Sequence, residues 1–344
     1  MTSPLPIAKY TGCLLGAAIG DALATPFTGL SVEETAATGR VGEFLPAREA
    51  RSFVIPIGEL REAAFGEPES GHSLAAGQWT EDVQLMLALA DALIEENGAF
   101  IPEAWAHSLV RWLNGAPRSP GISTLQTAIQ LRTSGVLWDE AADPEGAGCG
   151  AAARVPPVAL LFPAQTAQRA AAAITQAQVT HEHPDALAAA LAVAEAIALL
   201  LPLDGSALDA WDGSAFLAQL IACVENYAPA FAEFARCLVL ARTLLDDQVE
   251  FATAVRVLGI SGWSREAVPC ALFCVAHSPR DFEALLHRVV ALTAGSTEAI
   301  ACMVGGLAGA LHGLDAIPLH WRAGVEEGRT ILATARTLHA LATA

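Results

Sequence analysis

The chain has 344 residues, of which 53% are hydrophobic, and a formal net charge of −18. This length and apolar content suffice for a large buried core in one domain or two, while so acidic a surface repels phosphate backbones and disfavours nucleic-acid binding. Seven cysteines without a C-x-x-C pair are typical of buried thiols in a reduced cytosol, so we expect a cytoplasmic protein.

The first predicted element is a helix that follows a tail over residues 1–9, and no signal-peptide pattern is present there. Gly12, Gly16 and Gly20 recur at helical spacing, which puts them on one side and lets a neighbouring helix approach closely. Residues 31–76 lack a helical repeat and contain one β-like run at 53–57. We expect this segment to be either an ordered functional loop or a flexible cover.

The next helix is predicted to start at Thr80, a good N-cap residue that is followed by apolar residues at helical spacing, such as Leu85 and Leu89. Glu81 and Asp82 then fall in its first turn, where acidic side chains are common because the helix dipole favours them. A second interpretation is that the hydroxyl and the two carboxylates bind a hard divalent cation.

Residues 102–134 give two more helical patterns, with Trp105, Leu109 and Trp112 as core candidates and a turn over 114–121 between them. The Gly-rich stretch 146–150 leads to Arg154. Such a turn can present backbone N–H groups to a phosphate, or it can be a simple turn.

Two later segments contain further candidate residues. Thr180-His181 precedes an Ala/Leu-rich run, 186–203, and indicates capping or packing; Glu195 inside that run favours a buried helix over a membrane span. Ser296-Thr297-Glu298-Ala299 begins another long helix that is rich in small residues. In the cation-binding interpretation, the Glu298 carboxylate supplies further oxygen ligands.

These motifs resemble those of ADP-ribosylglycohydrolases, the dinitrogenase-reductase-activating glycohydrolase superfamily. The family's metal motifs read Thr-Asp-Asp-Thr and Asp-Thr-Asp-Thr, and 80–83 and 296–299 are similar to degenerate copies of them. Gly16 to Ala22 resembles the family's opening signature, and 148–154 resembles its Gly-Asn-Gly-Ala-Ala-Met-Arg segment. The resemblance implies an all-α, compact, orthogonal multi-helix fold, which we expect to form a single domain over 1–344.

The resemblance also implies site residues. Asp82 and Glu81 are the catalytic candidates. The implied metal ligands, for Mg²⁺ or Mn²⁺, are Thr80, Glu81, Asp82, Ser296 and Glu298. The implied substrate-binding residues are Gly121, Thr124, Gly148, Cys149, Gly150 and Arg154. Ser296 stands where the family motif has a carboxylate, and Ala299 stands where it has a hydroxyl, so two of the family's metal ligands are missing here. We therefore expect one metal ion rather than two, or none.

One departure bears on activity. Family members often carry a Pro-x-Glu whose glutamate is implicated in catalysis, and this chain has Thr28 there. The sequence offers four acids that could replace this glutamate and does not rank them: Glu33, Glu34, Glu43 and Glu59.

Two functions are compatible with these motifs. The first is a divalent-metal hydrolase that cleaves a glycosidic bond in an ADP-ribosylated or related substrate. The second is an inactive relative that binds ADP-ribose-like ligands or has a structural role. We expect a monomer whose partner is an ADP-ribose-like small molecule or an ADP-ribosylated protein, with no nucleic acid or membrane partner.

Overall fold

The architecture is helical, which confirms the predicted all-α class. A computed structural model describes residues 5–47, 74–133, 136–292 and 295–344, and in these residues there is no β-sheet, only two isolated bridges. The α-helices, in chain order, are α1 Ile7–Ala24, α2 Val32–Ala37, α3 Glu81–Glu95, α4 Pro102–Leu113, α5 Ile122–Thr133, α6 Gly150–Ala153, α7 Pro156–Leu161, α8 Thr166–Gln178, α9 Pro184–Leu200, α10 Gly205–Asp209, α11 Gly213–Tyr227, α12 Ala232–Asp246, α13 Phe251–Leu258, α14 Ser264–His277, α15 Phe282–Leu292, α16 Thr297–His312, α17 Leu319–Gly324 and α18 Gly328–Thr343. Short 3₁₀ turns occupy Thr25–Phe27, Pro229–Phe231 and Leu314–Ala316.

Among the described helices, α1 and α16 pack against each other most extensively, and we call their contact the α1–α16 seam. A methyl carbon placed on Gly16 would lie 2.3 Å from the Gly305 carbonyl oxygen, and one on Gly20 would lie 2.0 Å from that of Ala301. Real Cβ atoms do not come so close to a backbone oxygen, so the two backbones touch directly. The packing role predicted from the glycine spacing is confirmed, and the two helices run antiparallel.

Helix α9 lies in the core rather than in a membrane. Most of its side chains are buried, and Glu195 is satisfied by Arg169, whose Nη2 lies 2.8 Å from the carboxylate. Two opposite charges paired in the interior avoid the cost of an isolated buried carboxylate. None of the helices in the described ranges has the length and hydropathy needed to cross a bilayer.

The helices around the Thr80 stretch agree with the sequence patterns. Thr80 caps α3, and Trp105, Leu109 and Trp112 of α4 are buried as predicted. At the N-terminus α1 already begins at Ile7, within the predicted tail, and a helix, α2, lies inside the predicted loop-rich segment. The β-like run 53–57 and Glu59 lie outside the described residues.

Candidate active site at the starts of α3 and α16

The N-terminus of α3 is fixed by a buried aspartate from α1. Thr80 donates its backbone N–H to the Asp21 carboxylate at 3.1 Å and its hydroxyl to Oδ2 at 2.9 Å. Thr25 donates to the same carboxylate at 2.9 Å, and Asp21 has no solvent exposure. The Thr80 hydroxyl in turn accepts the Asp82 N–H at 3.4 Å, which is the predicted N-cap bond. Asp21 therefore sets both the position of Thr80 and the direction of its hydroxyl.

Glu81 points from the first turn of α3 toward the turn between α4 and α5. Its Oε1 accepts the Gly121 N–H, and its backbone N–H donates to the Arg118 carbonyl at 2.9 Å. Its Oε2 is out of contact with solvent and has no hydrogen-bond partner. A buried carboxylate oxygen without a partner is costly, so it is a place where a donor or a cation would stabilise the site.

The second predicted motif lies at the start of α16. Ser296 occupies the N-cap position but makes no side-chain capping bond, and Glu298 lies in the first turn. The Glu298 carboxylate accepts a hydrogen bond of 2.5 Å from the Thr28 hydroxyl. The residue that stands in place of the family glutamate thus contacts a candidate metal ligand directly.

The carboxylates of these two helix starts form one electrostatic group. Burial raises the pKa of Glu81 to about 8 and that of Asp21 to about 7. Burial also raises the pKa of Asp82, and the negative charges of Asp21, Glu81 and Glu298 add to the shift. Burial likewise raises the pKa of Glu298. Like charges held near one another away from water resist ionisation, so this group gains from a nearby positive charge.

The positive charge of Arg154 acts on Glu81 and Asp82 and favours their ionised forms. Arg154 is fully buried, donates from Nε to the Gln176 side chain at 2.8 Å, and donates from Nη2 to Thr180 at 2.6 Å. Its Nη1 has no hydrogen-bond partner. Burial lowers its pKa to about 9, and the Glu81 and Asp82 charges oppose that shift. The guanidinium stays charged at neutral pH and presents one unpartnered donor group inside the protein.

The backbone of the Gly-rich turn at 146–150 already makes hydrogen bonds within the protein. The Cys149 N–H donates to the Gly262 carbonyl at 2.9 Å, and the helix that follows, α6, has only four residues. Gly148 lies beside the ring of His181, and a Cβ at Gly150 would meet open space. The predicted substrate contacts of these residues remain predictions, but the Cys149 amide is already used within the protein.

The structure also shows the surroundings of three other features singled out in the sequence: Thr124, Gly121 and the 180–181 pair. Thr124 is buried, and the Gly121 N–H is engaged by Glu81. Of the two roles predicted for the 180–181 pair, packing is found: Thr180 binds Arg154, while His183 caps α9. Burial lowers the pKa of His181 to about 3, so its ring is neutral at ordinary pH.

The side chains at the two helix starts are of the kind that a divalent cation prefers. A threonine hydroxyl and three carboxylates are hard oxygen ligands, and the unpartnered Glu81 Oε2 is available to one. Across the described ranges, no three His, Cys, Asp or Glu side chains are already gathered around one point. Gly121 and Thr28 hold Glu81 and Glu298 at present. The donor chemistry of this set therefore fits one divalent cation.

Two of the acids that could replace the missing glutamate make contacts elsewhere. Glu34 completes a capping box with Ser31 at the start of α2, and Glu43 pairs with Arg40 at 2.9 Å. Glu33 lies in the exposed first turn of α2. Asp21 is a buried acid at this site to which the sequence gave no role; the available signal was the one acid in a helix that is mostly apolar and lined by glycines.

Comparison with known proteins gives consistent matches over nearly the whole chain. The family model described as ADP-ribosylglycohydrolase matches residues 2–344. An uncharacterized protein of Archaeoglobus fulgidus is 33% identical over 97% of this chain and 96% of its own length. The ADP-ribosylarginine hydrolase Tri1 of Pseudomonas putida is 27% identical, covering 93% of this chain and 75% of its own length. A solved structure titled "ADP-ribosylglycohydrolase-related protein complex" superimposes with a TM-score of 0.68 at 25% identity, covering 98% of each chain.

Proposed function

Since the chain belongs to the ADP-ribosylglycohydrolase family, as its motifs indicate, we propose that it hydrolyses the glycosidic bond of an ADP-ribosylated substrate with the help of one divalent cation. The observation that supports this proposal is the set of acids at the starts of α3 and α16, of which Asp82 is buried and Glu81 and Glu298 are partly buried. Asp82, Glu81 and Glu298 influence one another's charge there. Such a group is unfavourable for stability alone, which supports a role in binding or catalysis.

In this proposal Thr80, Glu81, Asp82 and Glu298 hold a single Mg²⁺ or Mn²⁺ ion, and Ser296 adds at most a hydroxyl. When bound, such an ion supplies positive charge that can bind ribose hydroxyls and polarise a water molecule. A second ion lacks support, because the position that holds a carboxylate in the family motif is Ser296 here. The resulting charge balance fits one dication and the Arg154 guanidinium.

The chain's own side chains have separable roles. The Thr80 hydroxyl donates its hydrogen bond to Asp21 and accepts the Asp82 N–H, so one lone pair of that oxygen is left for a ligand. Asp82, with Glu81, is proposed to accept a proton from the attacking water, since both carboxylates lie in the first turn of α3. Arg154, buried and unpartnered at Nη1, is proposed to stabilise the negative charge of the substrate or of these acids.

The names of two relatives support the proposed substrate class. One is named an ADP-ribosylarginine hydrolase and another, from Danio rerio, 26% identical over 93% of this chain and 87% of its own length, an ADP-ribosylhydrolase. We propose by analogy an ADP-ribose group attached to a protein side chain, or a small molecule that contains ADP-ribose. An anionic ligand of this kind meets a chain of net charge −18, so its binding must depend on local cations.

A second candidate is an inactive relative that binds ADP-ribose without cleaving it. Thr28 favours it, because this residue stands where the family carries its catalytic glutamate and its hydroxyl is bonded to Glu298. A hydroxyl of ordinary pKa cannot serve as the general acid or base that a carboxyl provides. The two candidates share a ligand and differ in turnover.

The test is calorimetric titration of Mn²⁺ into metal-stripped protein, with and without ADP-ribose, followed by a hydrolysis assay on an ADP-ribosylarginine peptide. We expect one ion per chain, tighter binding with ADP-ribose, and a loss of about tenfold or more in Mn²⁺ affinity in Asp82→Asn, as expected when one charged ligand is lost. Asp91→Asn, an exposed acid on the same helix, is the matched control. Binding without turnover identifies the inactive relative. Absence of Mn²⁺ binding contradicts the metal-dependent hydrolase.

A further inference from the structure

An ion pair between distant parts of the chain lies next to the start of α3. The Arg118 guanidinium binds both oxygens of the Glu326 carboxylate, from Nη1 at 2.5 Å and from Nη2 at 3.0 Å. Nη1 also donates to the Trp79 carbonyl at 3.1 Å, and the guanidinium lies 4.9 Å from the centre of the Trp79 ring. Both charged side chains are only 21% exposed, so this pair is less screened than an ordinary surface pair.

Glu326 is tied to the residues before Thr80 by three further bonds. Its carboxylate accepts from the Gln78 amide at 2.8 Å, and its carbonyl accepts from the Trp79 indole N–H at 3.1 Å. Its own N–H donates to the Gly77 carbonyl at 2.9 Å. The segment between α17 and α18 therefore fixes the stretch that leads into α3.

The turn that carries Arg118 is also held in an uncommon conformation. Ala116 and Ser119 have φ values of 63° and 50°, in the left-handed region that residues with a Cβ rarely adopt. Gln84 of α3 binds this turn twice, accepting the Arg118 N–H at 3.0 Å and donating to the Ala116 carbonyl at 3.2 Å. Such strain persists only where the surroundings determine the backbone, as these contacts do.

The same turn provides both contacts that orient Glu81. The Arg118 carbonyl accepts the Glu81 backbone N–H at 2.9 Å, and the Gly121 N–H donates to the Glu81 carboxylate. We propose that the Arg118–Glu326 pair is a positioning pair: it fixes the 114–121 turn so that Gly121 directs the Glu81 carboxylate and leaves Oε2 toward the ligand. The role of Glu81 as a ligand rests on the proposed function, whereas the positioning of its carboxylate does not.

The experiment compares Glu326→Gln and Arg118→Lys with wild type by amide hydrogen exchange and by Mn²⁺ titration. We expect the Glu81 and Gly121 amides to exchange about tenfold faster relative to the Leu89 amide in the middle of α3, the size expected for loss of a charged hydrogen bond that acts locally. Mn²⁺ affinity should fall about tenfold by the same reasoning. Glu326→Asp, which keeps the charge, should restore part of both. The matched control is Glu95→Gln, which breaks the exposed Arg111–Glu95 pair at the other end of the same helix.

Two results overturn the proposal: wild-type exchange at Glu81 and Gly121 in both variants, or equal acceleration of all α3 amides, which is the result for a purely stabilising ion pair. Should wild-type protein bind no Mn²⁺, the proposed function fails, and the exchange pattern still decides whether the pair positions Glu81.

Discussion

Helices α1 and α16 carry two regions of opposite character along the same pair of backbones. In the α1–α16 seam, Gly16 and Gly305 bring backbone against backbone with no space for a methyl group. At one end of the same seam, Asp21 follows Gly20 directly and Glu298 precedes Ala301 by less than one turn. There the contacts are made by polar side chains, with the Asp21 carboxylate buried and Glu298 partly buried.

The difference shows how this fold supports an unfavourable site. The seam contributes close packing that tolerates no change of volume, and it holds the two helix ends at a fixed distance. The acids at that end resist being brought together, because each disfavours ionisation of the others. Changes in the seam should therefore act on stability, and changes at the site should act on ligand binding and on the pH dependence of stability.

The largest expected effect is in the seam. Gly305→Ala places a methyl 2.1 Å from the Gly16 carbonyl oxygen, so one backbone must move. We expect the free energy of unfolding to fall by about 3 kcal/mol or more, the upper range for overpacking in a rigid core. Urea unfolding at pH 7 measures it.

The adjacent residue is the matched control for that change. A methyl at Gly306 would meet its nearest atom, the Ala17 Cβ, at 3.4 Å, an ordinary contact. Gly306→Ala should be neutral or stabilising by up to about 1 kcal/mol from helix propensity. Equal losses in the two variants would show that the seam is not limited by space.

The second expected effect is a pH dependence of the metal-stripped protein. Burial raises the folded-state pKa of Glu81 from 4.5 to about 8 and that of Asp21 from 3.8 to about 7. Between about pH 4 and pH 8 the folded state therefore binds more protons than the unfolded state, and stability falls as pH rises through this window. Thermal unfolding across this range should show a falling Tm.

Glu81→Gln should flatten the upper part of that slope, because the pKa of Glu81, about 8, is higher than that of Asp21, about 7. Glu95→Gln, at the exposed far end of α3, controls for the loss of one negative charge. Added Mn²⁺ should restore stability at pH 8 in wild type and much less in Glu81→Gln, since a ligand bound only to the folded state stabilises it. A Tm that rises toward pH 8 in stripped protein would contradict the burial of these acids.

The seam was more predictable from sequence than the site. The spacing of Gly12, Gly16 and Gly20 and the N-cap pattern at Thr80 are local signals, and both appear as predicted. The bonds that build the site join residues far apart: Thr80 and Asp21 are 59 positions apart, and Thr28 and Glu298 are 270 apart. No periodicity within one element encodes such a contact, so the role of Asp21 emerges only once the helices are packed.

The smallest expected effect on stability comes from a substitution of Thr28. This substitution distinguishes the α1–α16 seam from the acid site at its end most clearly. Thr28→Val keeps the side-chain shape and removes the hydroxyl that donates to Glu298. Because Thr28 is exposed, the loss of unfolding free energy should stay below about 1 kcal/mol. Mn²⁺ affinity should nevertheless fall by about threefold, since the hydrogen bond that orients the Glu298 carboxylate is lost. Thr28→Ser retains the hydroxyl and should match wild type in both measurements. A stability loss as large as that of Gly305→Ala, with Mn²⁺ binding unchanged, would mean that this end of the seam is built for packing and not for a ligand.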